Sequence, residues 1–425
     1  MAIRESVMSL LKRSLLAAGV AVTLTTAGVL TAVAAPDGPG AAELPTAAVA
    51  LGDSFISGEG GGDYQPVTDV DGVAQGFPGW SAPNANAFFC HRSAHSSLLQ
   101  ANLAGIQDRF NLACSGGQPH DMANPSASRD HGRTVAAQID QVKAVAQTHD
   151  IDLVLVGLGS NNGSFTFGDA ASVCANRFIA DAWTGWWEVW AGDPPQEPCV
   201  ISDLATDAEL AAGTAETIDA LRGLLTTLDQ VDADGQHRIV FQDYTNPLPQ
   251  DYAERYHEED GRADDRDKFR ALGAERYAAG CPTHRASLAA GHLFSEGLGR
   301  LVQSAHSTLS AEFPNDDLVF LDVQHAFDGA RLCEQDGSPD NALATPIRLQ
   351  DGPSGVPVTS FDGKDKIAIQ RIAQTCVDYF QTCQESWHPN VNGYGVLGQC
   401  LAGAATTASR AVSCARQPDG SVAVG

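Results

Sequence analysis

Five short, mostly apolar runs separated by segments of helical period restrict this chain to a sheet buried on both faces. The runs are Ala48-Val49-Ala50-Leu51, Phe110-Asn111-Leu112-Ala113, Leu153-Val154-Leu155-Val156, Ile239-Val240-Phe241 and Leu318-Val319-Phe320-Leu321. Each is too short for a helix and lacks the alternation of a half-exposed strand, so each reads as a strand covered above and below. Between them Val135, Ile139, Val142 and Val145 share one helical face, as do Ile218, Leu221, Leu225 and Leu228. Asp234-Gly235 marks a turn before the fourth run. Strand and helix in alternation demand right-handed crossovers, so the expected architecture is a three-layer α/β/α sandwich around a parallel sheet. No internal repeat is visible.

The two ends of residues 1–45 read differently from the rest. Arg4, Lys12 and Arg13 give a positive start, followed by an uncharged stretch from Ser14 to Ala35 that ends in Ala32-Val33-Ala34. A basic start, an apolar middle and a small-x-small end are the pattern of a cleaved secretory signal, expected over residues 1–34. The Pro, Gly and Ala of residues 35–45 read as a linker, leaving 46–425 as a single domain. Three stretches look like insertions into it: residues 60–88, rich in Gly, Pro and Asn; residues 174–199, with Trp183, Trp186, Trp187 and Trp190; and residues 251–290, which open on a charged segment. The tryptophans are expected in packing on their insertion, with substrate contact as the other possibility. No later segment is apolar enough to span a membrane.

Ten cysteines without any C-x-x-C pair fit an exported, disulfide-bonded chain better than a metal or redox protein. Pairing nearest neighbours suggests Cys90–Cys114, Cys174–Cys199 and Cys281–Cys333, while Cys376, Cys383, Cys400 and Cys414 leave three pairings open. No metal is expected. Asp69-Val70-Asp71-Gly72 lacks the remaining ligands of a calcium loop, and His91 reads as a surface residue beside a disulfide cysteine. The formal net charge of −26 repels phosphate backbones and anionic bilayers, which argues against nucleic acid as a partner and against stable membrane insertion.

The chemistry-bearing signal is Gly52-Asp53-Ser54-Phe55-Ile56-Ser57-Gly58-Glu59-Gly60, directly after the first run. A serine on a tight strand-to-helix turn presents its hydroxyl at the carboxyl edge of the sheet, where open α/β folds bind ligands. Its N–H lies at a helix start, suited to a developing oxyanion. Chymotrypsin-like proteases also carry Gly-Asp-Ser, but late in the domain and followed by Gly-Gly. The early position and Phe55 exclude that reading.

Near the other end stands Glu385-Ser386-Trp387-His388-Pro389-Asn390. A nucleophilic serine needs a base, and a base needs a partner on its other ring nitrogen. Glu385 is one local turn from His388, and Pro389 stiffens the loop that carries the imidazole.

Together, the G-D-S-x-x-x-G-x-G run, the late acid-x-x-His-Pro-Asn and two Gly/Asn blocks between them resemble the SGNH (GDSL-type) hydrolases, in that family's order from Gly52 to Asn390. The resemblance implies a flavodoxin-like sandwich of strand order 2-1-3-4-5. It implies Ser54 as nucleophile and His388 as base. It also implies an oxyanion hole from the N–H groups of Ser54 and Gly116, in Ala113-Cys114-Ser115-Gly116, and from the amide of Asn161, in Gly159-Ser160-Asn161-Asn162. The Cys90–Cys114 spacing is similar to a disulfide of secreted actinobacterial members.

Two departures bear on function. The family's Asp after the oxyanion Asn is Asn162 here, and its Asp-x-x-His is Glu385-x-x-His388. Either the Glu385 carboxylate or a main-chain carbonyl of Glu385 or Ser386 therefore supports His388. The resemblance implies a secreted serine esterase or lipase without a cofactor, most simply a monomer. A phospholipase, a carbohydrate acetylesterase and, in another class, a catalytically inactive binding protein on the same fold are the other readings.

Overall fold

A computed structural model of the chain describes residues 44–65, 90–127, 134–163, 165–167, 200, 204–231, 237–250, 285–331 and 387–425. The chain divides into two units, Met1–Glu43 and Leu44–Gly425, and every described residue belongs to the second. The expected signal segment and most of the linker lie outside the described residues. So do 66–88 of the first insertion, 174–199 with its four tryptophans, 251–284, Glu385, Ser386, and Cys174, Cys199, Cys281, Cys333, Cys376 and Cys383.

In chain order the main elements are β1 (Thr46–Gly52), α1 (Ser54–Ser57), α2 (Ser97–Gln100), β2 (Asp108–Asn111), α3 (Gln138–Ala146), β3 (Asp150–Gly157), α4 (Asp207–Val231), β4 (Arg238–Gln242), α5 (Arg285–Glu312), β5 (Asp317–Asp322), α6 (Val391–Thr406), β6 (Ala411–Arg416) and β7 (Val422–Val424). The sheet order is β2-β1-β3-β4-β5-β6-β7. The first five strands reproduce the expected 2-1-3-4-5 order. All neighbours are parallel except the terminal β6–β7 pair.

Continuous apolar sequence in β1, β3, β4 and β5 follows from their position. Ala47–Leu51, Val154, Leu155, Ile239, Val240, Leu318 and Val319 are fully buried because helices cover both faces. Helices α3, α4 and α5 pack side by side, while α2 packs on α6. The result is a three-layer α/β/α sandwich. In α4 the buried Leu221, Leu224, Leu225 and Leu228 form the stripe that turns it onto the core. No helix among the described residues is long and apolar enough to cross a membrane.

The chain leaves β1 towards β2 on one side and returns to β3 on the other. This reversal opens a crevice at the carboxyl ends of β1 and β3, the topological switch point of such sheets. Gly52 and Gly157 face each other at that end. A Cβ on Gly52 would lie 1.8 Å from the Gly157 carbonyl oxygen, so only glycine lets the two backbones meet there.

The second strand begins and ends earlier than its sequence suggests, at Asp108–Asn111 rather than at Phe110–Ala113. The Leu112 and Ala113 carbonyls leave the ladder and accept from the Arg92 guanidinium at 2.7 and 2.8 Å. Val135 belongs to a two-residue ribbon and packs beside Cys90 and Cys114, not on the face of α3.

Candidate active site

Asp53 shapes the turn that carries Ser54. Its Oδ1 accepts from the Phe55 N–H at 3.1 Å and caps α1, a helix of only four residues that ends at Gly58 with φ +97°. The Ser54 hydroxyl is thereby held at the carboxyl edge of β1. It stands 2.8 Å from Nε2 of His388. Both side chains are buried, 5% and 3% exposed.

The loop before His388 turns sharply, with Trp387 at φ +64° and its indole buried. After Pro389, Asn390 caps α6 by accepting from the Gly393 N–H at 3.0 Å. The imidazole is packed against the rings of Phe55, at 4.5 Å, and Phe167, at 5.0 Å in an edge-on arrangement. Tyr244 packs edge-on against Phe55 from the next strand end. These contacts limit rotation of the imidazole.

Ser54, Gly116 and Asn161 lie in the turns that follow β1, β2 and β3. Neither the Ser54 nor the Gly116 N–H donates to a protein acceptor among the described residues. Gly116 sits at φ +72°, a left-handed conformation, and a Cβ built on it meets no described residue within 4 Å. Asn161 Oδ1 accepts from the Phe167 N–H at 3.0 Å, which fixes the amide orientation. Among the described residues the opposite Nδ2 has only long contacts, 3.3 Å to Ser160 Oγ and 3.5 Å to the Gly117 carbonyl. Asn162, where the resembling family has Asp, is also buried. Its Oδ1 accepts from the Phe165 N–H at 3.1 Å and closes the same loop.

The buried partners of Asp53 and Glu59 carry no signal in the sequence. Asp53 Oδ2 accepts from Tyr244 Oη at 2.5 Å and from Ser160 Oγ at 2.6 Å. Its complete burial pushes the carboxyl up to about 6, against the pull of these hydrogen bonds. The Tyr244 hydroxyl is pushed well above its ordinary range, by burial first and by the neighbouring Asp53 second.

Glu59, with no exposed surface, bonds His91 Nδ1 at 2.7 Å and accepts from Ser115 Oγ at 2.5 Å. Burial pushes its carboxyl up, but the His91 charge, the hydrogen bonds and a further contribution from His388 outweigh this and hold it below the ordinary range. His91 is thus not the surface residue the sequence suggests. It is 6% exposed and stacked on Tyr64 at 4.5 Å. Its partner lies 32 positions away, a separation from which no local pattern could find it.

Cys90–Cys114 and Cys400–Cys414 are the disulfides among the described residues. The second chooses one of the three pairings left open. No cluster of His, Cys, Asp or Glu among the described residues could hold a metal ion.

No protein-family model matches the chain, and no curated protein does. Among solved structures it is similar to the extracellular lipase of Streptomyces rimosus, at 19% identity over 84% of this chain and 99% of that chain, with a TM-score of 0.38. It is similar to phospholipase A1 from Streptomyces albidoflavus NA297, at 15% identity over 84% and 98%, with a TM-score of 0.37. A family two carbohydrate esterase from Clostridium thermocellum, studied as an active site mutant, follows at 10% identity over 85% of this chain and 63% of that chain, with a TM-score of 0.32.

Proposed function

We propose that this chain is a serine carboxylic ester hydrolase of the SGNH type, acting through an acyl-enzyme on Ser54. The observation that carries the reading is the 2.8 Å approach of Ser54 Oγ to His388 Nε2 beside N–H groups that have no acceptor among the described residues. A buried hydroxyl in contact with an imidazole is activated when it attacks a carbonyl, because the ring takes the proton as the bond forms.

In this mechanism Ser54 Oγ attacks the ester carbonyl while His388 Nε2 accepts its proton. The carbonyl oxygen becomes the oxyanion and is held by the N–H groups of Ser54 and Gly116 and by the Asn161 amide. Donors placed before the reaction begins need not reorganise as charge develops, which is why such holes contribute strongly. His388 then gives its proton to the departing alcohol. Water repeats the sequence on the acyl-enzyme, and Ser54 is released. The Glu385 carboxylate, or a carbonyl of its own segment, supports the other ring nitrogen. Export through a signal over residues 1–34 places this chemistry outside the cell.

Lipid and other acyl esters are the first substrate class, with phospholipid and acetylated polysaccharide as the alternatives that share this chemistry. The test is hydrolysis of a panel from acetyl to long-chain esters, phospholipid and acetylated xylan by the wild-type chain and by S54A. Turnover of at least one ester, abolished in S54A, supports the reading. No turnover of any ester supports an inactive binding protein on this fold.

A further inference from the structure

The stretch Cys90-His91-Arg92-Ser93 fastens at each of its four residues. Cys90 is bonded to Cys114. His91 bonds the Glu59 carboxylate. Arg92 donates through Nε to the Ala113 carbonyl, and through Nη2 to the Leu112 carbonyl and to Gln141 Oε1. Ser93 Oγ donates to the Gly62 carbonyl at 2.5 Å. This strap thus grips, on one side, the segment leading to Gly116 and, on the other, the segment leaving Ser54.

Glu59 is the point where these attachments meet. Its N–H donates to the Ser54 carbonyl at 3.0 Å. Its carbonyl accepts from Tyr394 Oη at 2.8 Å, on the helix that begins just after His388. Its carboxylate accepts from Ser115 Oγ at 2.5 Å, one residue before Gly116. The Ser115 N–H in turn donates to the Cys90 carbonyl at 2.9 Å. One residue is therefore bonded to the nucleophile's own peptide, to the neighbour of the second oxyanion donor and to the helix following the base.

We propose that Glu59, clamped by His91 and Ser115, is a positioning residue that fixes the Gly116 N–H relative to Ser54 in the acyl-transfer site. The inference rests on the hydrolase reading above. Glu59 touches no reacting atom. It acts by holding the Gly116 turn, whose left-handed backbone meets no described residue within 4 Å where a Cβ would stand. A buried carboxylate held by hydrogen bonds suits this purpose, since removing a partner would leave its charge uncompensated and the clamp therefore resists loosening. The carboxylate rather than a neutral amide is needed, because His91 Nδ1 lies within 2.8 Å of both its oxygens and Ser115 Oγ donates to one of them, so an amide would turn its NH2 towards a donor.

The experiment compares the full chain with E59Q, S115A and S115T, using a p-nitrophenyl ester for turnover and a fluorophosphonate for labelling of Ser54. A misplaced donor weakens the transition state more than ground-state binding, so kcat should fall roughly 10- to 100-fold in E59Q and S115A, with KM little changed. S115T keeps the hydroxyl donor and should recover most of the kcat. Labelling of Ser54 should slow in E59Q and S115A and reach the same stoichiometry. Wild-type kcat in S115A, or an equal loss in S115T and S115A, overturns the proposal even if E59Q fails to fold. A wild-type chain that is neither labelled nor active removes the hydrolase reading itself, a result distinct from either.

Discussion

The Ser54 hydroxyl and the His388 imidazole stand 2.8 Å apart although 334 positions separate them in the chain. Their meeting needs both ends of the α/β unit to close on one sheet edge. The first strand brings Ser54 there, and the cap of α6 at Asn390 fixes the loop that brings His388. Around this contact the turns after β1, β2, β3 and β4 contribute Asp53, Gly116, Asn161 and Tyr244. The site is therefore assembled from strand ends, and its parts can be tested singly.

In the proposed mechanism Asn161 is one oxyanion donor, so its replacement with Ala should lower kcat by about 10²–10³-fold. The same change removes one of two acceptors of the Phe167 N–H, which keeps the Ser160 carbonyl at 2.8 Å, so stability should fall by only about 0.5–1.5 kcal/mol. Steady-state kinetics and urea unfolding on one preparation separate the two effects. Wild-type turnover in this variant would remove Asn161 from the site.

Two glycines at the same sheet edge should respond unequally to Ala. At Gly116 the added methyl meets no described residue within 4 Å, and the cost is the left-handed backbone, about 1–2 kcal/mol. At Gly52 it would collide with the Gly157 carbonyl, so G52A should unfold at much lower denaturant or fail to fold. Similar unfolding midpoints for the two variants would contradict the close strand approach.

Asp53 makes stability depend on pH in a definite direction. Between its ordinary 3.8 and about 6 the folded chain holds a proton that the unfolded chain has released. Stability from this group therefore falls as pH rises through that window and levels off above it. The span corresponds to something on the order of 3 kcal/mol. Asn at this position carries no such proton, so wild type should gain stability relative to D53N as pH drops from 7 to 4. Urea unfolding of both chains across that range checks it, and a difference independent of pH would refute it.

The two described disulfides should separate stability from activity. Cys400–Cys414 closes a short loop between α6 and β6, and its removal as C400A/C414A should cost about 2–4 kcal/mol with turnover unchanged. Cys90–Cys114 anchors both residues that clamp Glu59, so C90A/C114A should lose kcat as well as stability. Equal kinetics in the two double variants would count against that distinction.

Much of the frame was legible because its signals are local. Short apolar runs mark β1, β3, β4 and β5, and the turns with Ser54, Gly116 and Asn161 directly follow strands. The chain beyond β5 was not: the stripe Leu397, Leu401 and Ala404 on α6 and the alternating burial of β6 extend the sheet by two strands. Helix α5 was also missed, although Phe294, Leu298, Leu301, Val302, Ala305 and Leu309 recur at helical spacing. The buried polar contacts were beyond reach for a different reason. Asp53 and Tyr244 are 191 positions apart, and a carboxylate or hydroxyl gives no sequence pattern until its partner is placed. Arg92 likewise looks like a surface cation. Burial pushes its guanidinium down to about 10 while backbone carbonyls satisfy it.

The most direct measurement is the intact mass of the chain after exposure to a fluorophosphonate. The hydrolase account predicts one adduct per wild-type chain, mapped to Ser54, absent in S54A and strongly slowed in H388A. An unmodified wild-type chain, or an adduct that survives S54A, would contradict it.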